Sequence, residues 1–194
     1  MRRIAVFCGS QSGTSPIYGD VAQQLGEEIV RRGFGLVYGG GCIGLMGVVA
    51  EAVLRQGGEV IGVIPRSLFR KEVAIENATE LIVVETMHER KALMADRADG
   101  FIALPGGYGT CDELFEILTW AQLGIHRKPI GLLNVNGFFD PLMGWLDNMV
   151  NEGFLKSKYR QLLMLAADTG ELFNRFETFQ PLELKEKWIA EEER

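Results

Sequence analysis

Short continuous apolar runs alternate along the chain with longer stretches in which apolar residues recur every third or fourth position. The first run, Ile4 to Cys8, ends in Gly9-Ser10, and Pro16 to Arg32 follows with Val21, Leu25 and Ile29 at helical spacing. The same alternation predicts strands at Leu36 to Tyr38, Val60 to Ile64, Leu81 to Val84, Phe101 to Leu104, Ile130 to Val135 and Leu162 to Ala166. Between them it predicts helices at Leu45 to Gln56, Met87 to Arg97, Thr110 to Leu123, Pro141 to Asn151 and near Leu172 to Phe176. Residues 66–79 are polar and mixed, and read as a loop with room for one helical turn. Strands that are apolar throughout, each followed by a helix, belong in a parallel sheet covered on both faces. The expected architecture is therefore α/β: a single three-layer αβα, Rossmann-like domain with a doubly wound, mostly parallel sheet, over 1–180. A charged tail occupies 181–194.

Composition changes this picture at one point. Of 194 residues, 24 are glycine, with only six prolines and no Gly-X-Y period, which excludes collagen and disordered low complexity. Six of these glycines lie between Gly35 and Gly47 and three between Gly106 and Gly109, both directly after a predicted strand. In a doubly wound sheet that is where a ligand crevice opens. The uncharged stretch from Gly33 to Ala50 is long enough to mimic a membrane span. Its seven glycines fit a strand, a turn and a helix start better.

Charge and cysteine use narrow the function classes. Twenty Lys and Arg against 26 Asp and Glu give a formal net charge of −6, which works against a nucleic-acid backbone as partner. The N-terminal apolar run is too short for a signal-peptide core. Cys8, Cys42 and Cys111 are odd in number and widely spaced, so neither a disulfide framework nor a zinc knuckle is expected. A cytoplasmic protein without membrane association fits best, and no metal site is expected, because His88 and His126 lack partners at ligand spacing.

Three segments carry candidate chemistry. Gly39, Gly41 and Gly44 satisfy G-x-G-x-x-G, but the next strand ends in Pro65-Arg66 instead of the acid that would grip a dinucleotide ribose. Gly39, Gly40, Gly41 and Gly44 then either permit tight turns or cradle a phosphate or sugar. Pro105 to Glu113 is the most specific segment. Glycines 106, 107 and 109 allow a nest of backbone N–H groups at the positive end of a helix. Within it, Thr110-x-x-Glu113 has capping-box spacing, so Glu113 is either a helix cap or a catalytic carboxylate. A nucleophilic role for Cys111 lacks any supporting motif. Finally, Arg90 falls on the otherwise apolar stripe Met87, Arg90, Met94 and needs an ion-pair partner or a ligand.

Taken together, PGGYGTCDE, MHERK, GGGCIGLMG and VFCGS resemble the Lonely Guy family of nucleotide phosphoribohydrolases, over about Ile4 to Asp168. Members of that family have often been mislabelled lysine decarboxylases. The resemblance implies hydrolysis of the N-glycosidic bond of a purine nucleoside 5′-monophosphate, a cytokinin riboside monophosphate or AMP, to free base and ribose 5-phosphate, with no cofactor. It carries the catalytic pair onto Arg90 and Glu113, and substrate contacts onto Glu72, Lys91, Gly107, Tyr108, Gly109, Thr110, Cys111, Asp112 and Thr119. It also implies a homodimer whose partner helices wall the base pocket. The apolar residues of 110–123 spread over more than one face, which fits a helix buried on two sides. Three other functions compete: a non-catalytic carrier of a phosphorylated cofactor, a pyridoxal-dependent decarboxylase using Lys91, and a dinucleotide-dependent redox enzyme. Oxocarbenium-like chemistry at a ribose needs a nearby carboxylate, which favours the hydrolase.

Overall fold

A computed structural model describes residues 2–69 and 78–182. Seven strands form one sheet in the order β4-β3-β2-β1-β5-β6-β7. They are β1 (Arg3–Phe7), β2 (Gly35–Tyr38), β3 (Val60–Pro65), β4 (Glu80–Val84), β5 (Gly100–Ala103), β6 (Ile130–Leu133) and β7 (Leu163–Ala166). Every neighbouring pair is parallel, so the sheet is wholly parallel where a mostly parallel one was expected. The chain winds outward from β1 to β4, returns to the other side of β1 with β5, and winds outward again.

The helices are α1 (Ile17–Arg31), α2 (Gly44–Arg55), α3 (Arg66–Phe69), α4 (Met87–Arg97), α5 (Tyr108–Leu123), α6 (Asp140–Asn151), α7 (Ser157–Arg160) and α8 (Thr169–Glu177). Side chains alternate across a strand, and each face of the sheet therefore carries its own core. Ile4, Val6, Leu36 and Ile102 pack with Leu25 and Ile29 of α1, Val49 and Val53 of α2, and Leu172 and Phe173 of α8. Ala5, Phe7, Val37 and Phe101 pack on the opposite face with Met94 of α4, Leu114 and Ile117 of α5, and Leu146 of α6. This is the three-layer arrangement that the apolar runs predict.

Several boundaries move for local reasons. The sixth strand stops at Leu133 and not at Val135, because the Asn134 side chain turns the chain. Its Oδ1 accepts from Phe139 N at 2.8 Å and its Nδ2 donates to Asp140 Oδ1 at 2.7 Å. Asn136 (φ 51°) and Gly137 (φ 70°) then take left-handed conformations. The segment read as a loop opens with α3, while Glu72 and the rest of 70–77 lie outside the described residues, as do 183–194 of the expected tail. Helix α7 has no clear periodicity in the sequence. The span-like stretch is β2, a turn and the start of α2, and among the described residues no helix is long and apolar enough to cross a membrane.

The switch in winding direction lies between β1 and β5, and their carboxyl ends splay apart there. Leu104 N bonds Phe7 O at 2.9 Å and Gly9 N bonds Pro105 O at 3.1 Å, which ties the two exits together before they diverge. Beyond these bonds lies the crevice.

Candidate active site

Arg90 reaches the crevice from α4, whose start is fixed by a capping box absent from the sequence reading. Glu89 N donates to Thr86 Oγ1 at 3.1 Å, and the Glu89 carboxylate accepts from Thr86 N at 3.3 Å. From the first turn of that helix the guanidinium is held at three points. Nε donates to Val63 O at 3.1 Å, Nη1 to Glu113 Oε1 at 2.8 Å, and Nη1 also meets Met87 Sδ at 3.4 Å. A cation with this many anchors presents its remaining N–H groups in a fixed direction. Gly39 makes the arrangement possible, since the space its Cβ would take is occupied by Arg90 Nη2.

Glu113 does not cap a helix. Helix α5 begins two residues earlier than predicted, with Gly107 at its cap and no side-chain cap bond, so the carboxylate is free to turn toward Arg90. The side chains of the pair are only 12% and 9% exposed. Burial pushes the Glu113 pKa upward, and the Arg90 charge and hydrogen bond hold that rise in check, with Lys91 helping and Asp112 opposing. The two alternatives open for Arg90, an ion pair or a ligand, thus coexist: it has its partner and it faces a cavity. Behind the pair, burial pushes the Cys8 thiol far up, so it stays protonated and un-nucleophilic.

Two cavities meet at this point. One, of about 270 Å³, is lined by Arg90, Glu113, Thr110 and the turn Gly107 to Gly109, with Cys8, Gly9, Ser10, Met46, Leu68 and Met87 completing its wall. The other, of about 290 Å³, lies over the loop Gly9 to Gly13 and is closed by Tyr18, Leu45, Pro105, Gly106, Gly107 and Phe138. Gly9, Ser10 and Gly107 line both, so the crevice is continuous across them. The slightly larger cavity is lined by no carboxylate and no cation, whereas the smaller one has both, in Glu113 and Arg90.

The other predicted residues separate into groups. Gly107, Tyr108, Gly109 and Thr110 line the cavity, and Tyr108 is 97% exposed at its lip. Gly106 lines the neighbouring cavity and leaves room for Thr110 Oγ1. Cys111 N donates to Gly107 O at 3.2 Å, and the residue lines neither cavity. Lys91 and Asp112 pair with each other beside the crevice at 3.1 Å. Thr119 is exposed on another face of α5, where it lines an apolar groove formed with α6 and α7. Gly39, Gly40, Gly41 and Gly44 line neither cavity, and Gly39, Gly40 and Gly44 lie in close contact with other parts of the chain. Gly40 (φ 81°) backs onto Ile64, and Gly44 (φ 61°) has the Ser10 backbone where its Cβ would stand.

Sequence reasoning missed Ser10, Met46, Leu68 and Met87 as parts of the cavity wall. Only Ser10 had a usable signal, its place at the carboxyl end of the first strand beside the switch point. Among the described residues no cluster of three or more His, Cys, Asp or Glu could hold a metal ion. His88 is exposed. His126 is half-buried against Phe101, and desolvation lowers its pKa to about 4.

Known proteins resemble this chain in sequence or in fold. A family model described as "Possible lysine decarboxylase" matches residues 46–176. The cytokinin riboside 5′-monophosphate phosphoribohydrolase LOG of Oryza sativa subsp. japonica is 54% identical over 180 residues, spanning 93% of this chain and 74% of its own. A cytokinin riboside 5′-monophosphate phosphoribohydrolase of Arabidopsis thaliana is 52% identical over 180 residues, spanning 93% and 83%. Among solved structures, the molybdenum cofactor carrier protein of Chlamydomonas reinhardtii superposes with a TM-score of 0.70 at 21% identity, over 91% of this chain and 96% of that one. The molybdenum cofactor binding protein of Rippkaea orientalis gives 0.69 at 21%, over the same shares. At such identities the carriers share the fold alone. Half-identity to the phosphoribohydrolases over nearly the whole length is of another order, and the chain belongs to their family, the Lonely Guy family.

Proposed function

We propose that this protein hydrolyses the N-glycosidic bond of a purine nucleoside 5′-monophosphate, a cytokinin riboside monophosphate or AMP, to free base and ribose 5-phosphate. The observation that carries the reading is the Arg90–Glu113 pair, buried at 2.8 Å in the wall of a cavity whose adjoining wall is the open N-terminus of α5. In this reading the amides of 107–110 and the positive end of α5 hold the 5′-phosphate without basic side chains. The ribose then lies over Glu113. As the bond from C1′ to the base breaks, its electron pair leaves with the base, which takes up a proton, and positive charge builds on the ribose. The Glu113 carboxylate stabilises that charge and orients the water that adds to C1′, and that water gives up a proton to replace the one the base took up. Arg90 favours the departing base and opposes the upward push that burial gives the Glu113 pKa. Phosphate binding at a distance from the reacting bond supplies orientation there.

The decarboxylase reading loses its lysine. Burial alone would lower the Lys91 pKa, but its bonds to Asp112 and Glu116 outweigh that and raise it, the opposite of what a Schiff-base amine needs. Thr119 belongs to the site only in a homodimer, where the partner's α5 would wall the base pocket. The exposed apolar groove along Phe115, Leu118 and Met149 supports that assembly. Three free cysteines support a reducing compartment, the cytoplasm.

The test is chromatographic detection of free base from AMP, isopentenyl-AMP and adenosine. Release from a nucleotide, lost in Glu113→Gln by about 10²-fold or more and weak for adenosine, is expected. Tight nucleotide binding without release would favour a carrier, and equal turnover of adenosine and AMP would defeat the phosphate handle.

A further inference from the structure

Beside the Arg90–Glu113 pair, the same two helices carry a second group of charges that neither cavity touches. Lys91 Nζ lies 3.1 Å from Asp112 Oδ2 and 3.1 Å from Glu116 Oε1, with its own side chain 10% exposed. Asp112 and Glu116 are four residues apart on α5, one turn above the other, and Glu113 stands between them in sequence. Lys91 therefore straddles a full turn of α5 from the residue next to Arg90. The second oxygen of Glu116 is buried without a hydrogen-bond partner among the described residues, so Lys91 is what balances this carboxylate. Lys91 and Glu116 are 10% and 22% exposed, so each is costly to leave unpaired, while Asp112, 59% exposed, adds a second contact at the solvent edge.

We propose, building on the hydrolase reading, that Lys91 and Glu116 are positioning residues: their bridge fixes the rotation of α5 on α4 and so holds Glu113 in the crevice opposite Arg90. A contact to one carboxylate could swivel. Contacts to two, a turn apart, oppose both rotation about the helix axis and sliding along it. A glutamate carboxylate stands roughly 6 Å from its helix axis, and a rotation of about 20° would carry it about 2 Å, enough to break a bond of ordinary length. Misplacement on that scale at a reacting centre costs about 10²-fold in rate. The bridge also sets the local charge. Asp112, Glu113 and Glu116 carry three negative charges against two positive on Arg90 and Lys91, which favours positive charge building on the ribose. Family resemblance gave Lys91 a substrate contact, whereas here its ammonium is spent on α5.

The experiment measures kcat and KM for base release from the nucleotide by the full chain in Glu116→Gln, Lys91→Met, Lys91→Arg and the double variant Lys91→Met/Glu116→Gln. Glu116→Gln and Lys91→Met are each expected to lower kcat by about tenfold to 10²-fold with KM within about twofold. Lys91→Arg, which can still bridge both carboxylates, should recover most of the loss, and the double variant should be no worse than the weaker single. A tenfold rise in KM for Lys91→Met with kcat intact, or an unaffected Glu116→Gln, would overturn the proposal. Hydrogen exchange of the amides in the first two turns of α5 gives a readout independent of turnover. It should quicken in Glu116→Gln, and unchanged exchange there also counts against the bridge. Were the wild type to release no base, the hydrolase reading would fail while the exchange measurement still decided whether the bridge holds α5. Should Lys91→Met not fold, Glu116→Gln, nearly isosteric, decides alone.

Discussion

Two glycine turns lie at the carboxyl edge of the sheet, one after β2 and one after β5, and they use the same residue in opposite ways. After β2 the missing side chains are replaced by protein. Arg90 fills the space at Gly39, the Ser10 backbone that at Gly44, and the Cys42 carbonyl that at Gly47. After β5 a Cβ on Gly107 or Gly109 would meet nothing within 4 Å. The first turn is glycine-rich so that parts of the molecule can touch. In the second, Gly106 also makes room for protein, the Thr110 hydroxyl, but Gly107 and Gly109 leave the backbone open on the side of the crevice. Only the second has the form of a ligand cradle. The first acts on the proposed site indirectly, by letting a buried arginine reach its glutamate.

The sharpest test of this contrast is Gly39→Ala. The obstructing atom is the far end of a side chain and not backbone, so the fold should survive while Arg90 is driven out of line and its buried pair with Glu113 is broken. We expect kcat to fall by about 10²- to 10³-fold, approaching Arg90→Ala, with a protein that still folds but loses up to about 3 kcal/mol as the buried ion pair is broken. The pH profile sharpens the reading. Burial raises the Glu113 pKa and Arg90 opposes the rise, so displacing Arg90 should move the acid limb of kcat further upward. The stability term has the opposite sense to activity. The native state holds this proton more tightly than the unfolded chain does. Its contribution to stability is therefore complete below the ordinary glutamate range, near about 4.3, and fades as pH rises through the raised native value. A Gly39→Ala enzyme with wild-type turnover would break the comparison.

The two turns also mark what a reader of the sequence can and cannot see. Strand and helix order followed from periodicity alone, because the inner strands β2, β3, β5 and β6 are buried on both sides and are apolar throughout. Arg90 was legible as a charge on an apolar stripe, and Glu113 as a carboxylate at the start of a helix. That the two meet was not, since they are 23 residues apart and the contact depends on how α4 crosses β3 toward α5. Spacing matched a dinucleotide fingerprint in the first turn and a capping box in the second, and both matches were accidents of short patterns. Glycine spacing records where the backbone needs freedom without recording what approaches it. Nor could spacing reveal that α5 starts at Tyr108, because a backbone cap at Gly107 leaves no side-chain signature.

A second perturbation separates packing from catalysis within the first turn. Gly47 lies inside α2, where alanine is ordinarily the better residue by up to about 1 kcal/mol. Here its methyl group would press on the Cys42 carbonyl, which is backbone and cannot move aside cheaply. Overpacking of this kind costs about 1–3 kcal/mol. Urea unfolding of Gly47→Ala should show a net loss within that range. Since Gly47 lines neither cavity, kcat and KM of the folded fraction should stay within about twofold of wild type. A large kinetic defect at unchanged stability would mean that the first turn meets the substrate directly.

The mildest change is the most discriminating for the second turn. Gly109 occupies the first turn of α5, makes no packing contact that a Cβ would disturb, and lines the cavity beside Glu113. By helix propensity and unfolded-chain entropy together, Gly109→Ala should stabilise the fold by about 0.5–1 kcal/mol, a rise of a few degrees at most. If nothing approached that face, the variant would be a simple improvement. If the 5′-phosphate rests on the bare amides of 107–110, the added methyl stands in its way, and KM for the nucleotide should rise about tenfold with kcat much less affected. Residual turnover of the unphosphorylated nucleoside should not change. A more stable protein with unaltered KM would show that the openness of this turn serves something other than the phosphate. A more stable protein that binds nucleotide worse would show that glycine is kept there against the preference of the helix, for the sake of the ligand.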